Sequence, residues 1–178
     1  EEWNPAEKDN VIYQRTLVPK NGVFLEAKGF VAESEIPGAI ATDSSFQLEA
    51  DPDIVAWQQG QRRMPDGTVV GTESGYTFFA NWVITKPGQT SVTLYHYKIP
   101  NAVTMPGLFG KASSFALSLA KQPGQHRGSI RASITLPQSM KISQTVPSSG
   151  VTLESDTVFT YRGQLTSDTV PGIVFEKR

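Results

Sequence analysis

Apolar residues in this chain recur at every second position over short runs, the period of a strand with one buried face. Turn-forming residues interrupt these runs every roughly 8–12 positions, a spacing that favours a sandwich or a barrel. Residues 11–18 are rich in β-branched residues and stop at Pro19 and a Lys20-Asn21-Gly22 turn. Residues 23–31 repeat the pattern more weakly. Between 32 and 50 it fades: Ile36-Pro37-Gly38 and Asp43-Ser44-Ser45 are turn material, and 46–48 suits a short strand. Residues 54–63 fit neither period, and Pro65-Asp66-Gly67 marks a turn.

The clearest alternation runs over residues 75–100. Tyr76, Phe78, Ala80, Trp82 and Ile84 share one face of a strand, Lys86-Pro87-Gly88-Gln89 turns the chain, and 90–99 returns. A hairpin closed by Thr85 and Thr90 sets Trp82 across from Thr93, Ala80 from Tyr95, Phe78 from Tyr97 and Tyr76 from Ile99, an aromatic core face. The other face carries Phe79, Asn81, Val83, His96 and Lys98, and is expected to be the more exposed. A second hairpin is expected around Lys121-Gln122-Pro123-Gly124-Gln125, with Leu117 across from Ile130 and Phe115 from Ala132. Residues 151–153, 157–162 and 172–175 supply the last strands. The pattern predicts an all-β fold, an antiparallel β-sandwich of about ten to twelve short strands with little helix. One domain over 1–178 is expected, with a soft boundary near the Pro- and Gly-containing connection at 101–112.

Composition agrees with this reading: helix-forming Glu-Lys-Ala-Leu runs are nearly absent, and Ser, Thr, Gly and Pro are plentiful. Net charge is −1, and the basic residues form no stripe longer than Gln61-Arg62-Arg63, which argues against a nucleic-acid partner. No stretch reaches the roughly 18 apolar residues of a membrane span. A chain that starts at Glu1 rather than Met is expected to be a processed or excised form, its leader or anchor removed. With no cysteine there is no thiol chemistry and no disulfide scaffold.

Candidate chemistry is sparse. The two histidines, His96 and His126, have no evident companions for a transition metal, and no strained Gly-x-Ser-x-Gly elbow is present; Ser148-Ser149-Gly150 reads as a turn. Asp51 and Asp53 flank Pro52, with Asp43 and Glu49 upstream. Such a run suits a turn that caps a strand. It also offers oxygen ligands to calcium, or a carboxylate pair for glycan hydrolysis. Lys98 or Lys121 with Asn81 has the residue types of a Lys–Asn cross-link, but four positions of register separate Lys98 from Asn81, too far for a bond. Trp3 and Trp57 lie outside the two hairpins. Trp57 stands beside Gln58, Gln59 and Gln61, so Trp57 and Gln59 are candidates for stacking on and hydrogen-bonding a sugar, against the alternative of a core tryptophan.

An ordered series of motifs adds a family expectation. Val18-Pro19-Lys20-Asn21-Gly22, Glu73-Ser74-Gly75 leading to Phe78-Phe79 and Trp82, Lys86-Pro87-Gly88-Gln89, Tyr97-Lys98-Ile99-Pro100 and Lys121-Gln122-Pro123-Gly124 follow one another. The series resembles the C-terminal part of a bacterial family of domains of unknown function, anchored in the membrane by an N-terminal helix and carrying a large extracytoplasmic region. The resemblance touches residues 11–30 and 73–137, with Asn21 inserted before Gly22 and Ile99 in place of Leu. It implies a cell-envelope location, with membrane attachment only through an anchor outside this chain, and transfers no catalytic residue. The expectation is a non-catalytic envelope module, structural or binding a protein or glycan partner and needing no cofactor. The alternative is an accessory domain or a carboxylate-dependent glycan-active enzyme using Asp51 and Asp53.

Overall fold

The computed structural model describes residues 8–36, 50–103, 112–122 and 128–178. The chain is all-β: the described residues form twelve strands, every pairing between them antiparallel, with one α-helix and one 3-10 turn. It divides into two compact units, Glu1–Pro100 and Asn101–Arg178.

The first unit is built on a four-stranded sheet of β1 (Asn10–Val18), β3 (Arg62–Arg63), β4 (Val69–Glu73) and β5 (Tyr76–Thr85), in the order β1-β5-β4-β3. A tight Ser74-Gly75 turn joins β4 to β5, both residues having positive φ (49° and 83°), as a two-residue hairpin of matching twist requires. Two further strands, β2 (Val23–Lys28) and β6 (Leu94–Lys98), pair as a separate ribbon. Helix α1 (Pro52–Gln59) packs through Trp57 on the side of the sheet that carries Phe78. The ribbon lies against the opposite side, where Phe24, Tyr95 and Tyr97 surround Phe79 at ring separations of 5.5, 5.9 and 5.6 Å.

This arrangement corrects the first expected hairpin. The turn itself forms, with Gln89 N–H donating to Lys86 O at 3.0 Å and Gly88 at φ 70°. The chain beyond it does not return along β5, whose two neighbours are β1 and β4, and instead crosses to the other layer to pair with β2. Tyr95 and Tyr97 therefore meet β5 face to face. The expected core face is corrected with it: Tyr76 is 51% exposed, while Thr77 and Asn81, on the other side, are 6% and 5% exposed. Both sides of β5 are covered at its centre, so Phe78, Phe79, Ala80 and Val83 are all buried. The ambiguous stretch 54–63 contains α1 and β3. The turn at 43–45 and the short strand at 46–48 lie outside the described residues.

The second unit is a sandwich of two three-stranded sheets. One orders β10 (Val151–Ser155), β11 (Val158–Gln164) and β8 (Ser129–Thr135), and the other orders β7 (Ala112–Ala116), β12 (Gly172–Lys177) and β9 (Met140–Val146). A shared core of Ala132, Phe159, Tyr161, Ile173 and Phe175 is closed by Phe115, Leu117, Ile130, Ile134, Met140 and Ile142. The second expected hairpin is corrected in the same way as the first. β7 pairs with β12 and β8 with β11, so Phe115 and Leu117 share one core with Ala132 and Ile130 and do not face them along a ladder. Its turn residues 123–125 lie outside the described residues. β9 was not among the expected strands: Met140 and Ile142 turn inward, but an extra residue of β9 opposite Val174/Phe175 shifts the face, so that Thr145 follows them and Val146 is exposed.

Candidate functional site

Helix α1 gathers the residues proposed from sequence. Asp51 is its N-cap: Oδ1 accepts the backbone N–H of Asp53 at 2.8 Å and of Ile54 at 3.4 Å, with Pro52 opening the first turn. One oxygen of the Asp51 carboxylate, Oδ1, is thus engaged by backbone amides. Asp53 stands in the same first turn, where its charge complements the helix dipole. The two acids are joined by a cap and do not face each other across a cleft. Gln59 is exposed in the last turn, which Gly60 closes by donating to Ala56 O at 3.3 Å. Asp43 and Glu49, the acids expected to complete a calcium loop, lie outside the described residues.

Trp57 is the side chain that docks α1. Its indole N–H donates to Thr72 O at 3.3 Å, and its ring stacks on Phe78 at 6.1 Å and 28°. Arg15 of β1 completes the assembly, its guanidinium carbon 4.4 Å from the Phe78 ring centre and 5.3 Å from that of Trp57. Glu73 pairs with the same guanidinium. Arg15 Nε and Gln61 Nε2 are buried here without a hydrogen-bond partner. Gly71 makes the space: a Cβ at this position would sit 2.6 Å from Phe78 Cζ, so the ring lies over bare backbone. At 38% exposure Trp57 keeps an open edge, but one ring face and its N–H are already used. Arg15 and Glu73 were not legible as part of this cluster, because 42 positions separate Arg15 from Trp57 and only the β1–β5 register unites them.

On the ribbon side, Asn81 holds a buried polar chain. Tyr95 O–H donates to Asn81 Oδ1 at 2.8 Å, and Asn81 Nδ2 donates to Thr68 Oγ1 at 3.1 Å. Burial pushes the Tyr95 hydroxyl well above its ordinary pKa, with the Tyr13 and Asp66 charges acting in the same sense. Lys98 stands across from Val23 and is exposed, and His96 stands across from Glu26, also exposed. Lys121 has its own contacts, its backbone N–H donating to Asp168 Oδ1 at 2.8 Å. Ser148 to Gly150 form the turn between β9 and β10, with Gly150 at φ 73°. His126 and Trp3 lie outside the described residues. Among the described residues no three His, Asp or Glu side chains converge as a metal site would require.

A small cleft of about 110 Å³ opens beside this assembly, between Tyr13, Val31, Glu33, Arg63, Asn81 and Trp82. The Arg63–Glu33 ion pair at 3.0 Å flanks it. A cleft of this volume admits a few waters, well short of the roughly 300–1,000 Å³ of small-molecule sites. Neither a protein-family model, nor a curated protein, nor a solved structure matches this chain.

Proposed function

We propose that this chain is a non-catalytic binding module of a bacterial cell envelope, acting outside the cytoplasm and presenting its sheet surfaces to a glycan or protein partner. One observation carries this reading: three of the side chains that the sequence offers for chemistry, Asp51, Trp57 and Asn81, have structural work. Asp51 caps α1, Trp57 fixes that helix to the sheet, and Asn81 joins Thr68 to Tyr95. A catalytic carboxylate must be free to exchange a proton or attack a substrate, whereas that of Asp51 accepts two backbone N–H groups. The motif series in residues 11–30 and 73–137 supports the envelope setting, through its resemblance to membrane-anchored extracytoplasmic domains.

The test is to incubate the protein with solubilised envelope polysaccharide and follow retention and reducing ends together. Retention without new reducing ends is expected. Asp51→Asn keeps a capping oxygen and removes the carboxylate, so it should leave retention unchanged. New reducing ends that vanish in Asp51→Asn or Asp53→Asn would replace this reading with that of a glycan-active enzyme.

A further inference from the structure

The outer face of the β10-β11-β8 sheet carries a feature that folding alone does not favour. The β11–β8 register sets Arg162 directly across from Arg131, and both side chains are exposed. Directly opposite residues of an antiparallel pair have Cβ atoms about 4.5–5.5 Å apart, where like charges repel. Neither arginine has an ion pair or hydrogen bond through its side chain among the described residues, whose salt bridges all involve other side chains. The acid on the same face is Glu154, which accepts a hydrogen bond from Thr160 Oγ1 at 3.0 Å.

The flanking positions are polar. Gln164 stands across from Ser129 on one side of the arginine pair and Thr160 across from Ser133 on the other. Next to the pair an open depression of about 560 Å³ is lined by Ser129, Ile130, Arg131, Arg162, Gly163 and Gln164. Its volume falls within the range of small-ligand sites, about 300–1,000 Å³. A guanidinium presents a planar fork of donors that matches the oxygens of a carboxylate or phosphate, and charge-assisted bonds of this kind are about twice as strong as neutral ones. One anionic group between two such forks would turn the repulsion into attraction. On the open side, Ser129 and Gln164 are exposed and offer a hydroxyl and an amide to the hydroxyls of a sugar ring, whereas Thr160 on the other side is buried and bonded to Glu154 and Ser133.

We infer that this face binds an anionic sugar unit of an envelope polysaccharide, its carboxylate or phosphate held between Arg131 and Arg162. The inference rests on the binding-module reading and names the ligand class. The experiment is calorimetric titration of the whole chain with polygalacturonate, poly(glycerol phosphate), dextran and poly-glutamate, at low and raised salt. At least one of the two anionic probes should bind, dextran should not, and added salt should weaken binding. Whether the carboxylated or the phosphorylated polymer binds more tightly identifies the anionic group. Arg131→Gln and Arg162→Gln should each weaken binding at least tenfold, while leaving Tm equal or raised because the like-charge contact is relieved. Binding unchanged in the double variant, or equal binding of dextran, overturns the inference, as does poly-glutamate binding that matches the polysaccharides. Polymer shortening that persists in both arginine variants would instead refute the non-catalytic reading, so the two failures are distinguishable.

Discussion

The two units solve one problem in different ways. In Asn101–Arg178, two sheets of three strands each turn one face inward, and the core between them is aliphatic and aromatic throughout, from Ala132 to Phe175. In Glu1–Pro100, one strand, β5, is covered on both faces, by α1 on one side and the β2–β6 ribbon on the other. The second unit keeps period-two alternation along β8, whose outward Arg131 and Ser133 are polar, and breaks it in β11 only by burying Thr160 between Phe159 and Tyr161. The first loses it at β5: four consecutive residues from Thr77 to Ala80 are buried, and the polar Asn81 follows them into the interior. A buried polar side chain is tolerated when its hydrogen bonds are made, as the Tyr95–Asn81–Thr68 chain makes them.

The largest effect expected from breaking this comparison lies in the second core. Phe159 is fully buried, and Phe→Ala in such a site costs about 3–5 kcal/mol. Phe159→Ala should strip amide-exchange protection from the strands of Asn101–Arg178. All three tryptophans precede Pro100, so exchange mapped by segment must read this loss, not fluorescence. Protection retained in β8, β11 and β12 would show that the sandwich does not depend on this ring. In the first unit the sensitive position is polar. Asn81→Ala leaves the Tyr95 and Thr68 hydroxyls without their partner, which should cost about 1–3 kcal/mol, measurable as a lower urea midpoint of tryptophan fluorescence. A variant as stable as the parent would mean that water replaces the amide and that the network does not hold the ribbon.

Alkaline pH sharpens the same contrast. Tyr95 has a pKa raised above the ordinary 10.0, so the folded protein keeps a proton that the unfolded chain releases. Its contribution to stability is complete below pH 10 and is lost as pH rises towards the folded-state value. Burial raises Tyr13 as well, in the same direction. Tyr95→Phe should flatten the alkaline fall in the first unit's unfolding midpoint. A fall of unchanged slope in that variant would assign the effect elsewhere.

How far the fold was legible follows from the same difference. Alternation identified the strand over 76–84 and placed strand residues at Phe115 and at Ile130 and Ala132, although β7 ends at Ala116, and the turn at Lys86–Gln89 was marked by its Pro-Gly pair. It did not identify partners. Phe115 facing Ala132 is equally consistent with neighbours in one ladder and with residues meeting across a sandwich, because both place apolar against apolar; the structure shows the second. Nor did it foresee α1, whose residues are all exposed and whose only firm attachment is Trp57. The Asp51-Pro52-Asp53 cap was legible as capping, though of a helix and not a strand. Arg131 and Arg162 carried no signal at all: 31 positions apart in sequence, they become a pair only through the β11–β8 register.

The smallest expected effect tests how α1 is held. Arg15 reaches it both as a charge, paired with Glu73, and as a plane, lying against Phe78 and Trp57. Arg15→Lys separates these contributions, since lysine keeps the charge but loses the planar, weakly hydrated guanidinium. A cation over an aromatic ring at a partly exposed site is worth about 0.5–1 kcal/mol, and the ion pair, with both partners partly in solvent, contributes no more than that. If stacking dominates, Arg15→Lys should increase amide exchange in α1 and shift Trp57 emission to longer wavelength, while Glu73→Gln changes either signal less. The reverse order would show that Glu73, by placing Arg15, matters more to α1 than the stack on Trp57 itself. Trp82 in Tyr13's company, at 4.8 Å on the far end of the same sheet face, serves as the internal reference for that emission, and a Trp57→Phe variant assigns the shift to one ring.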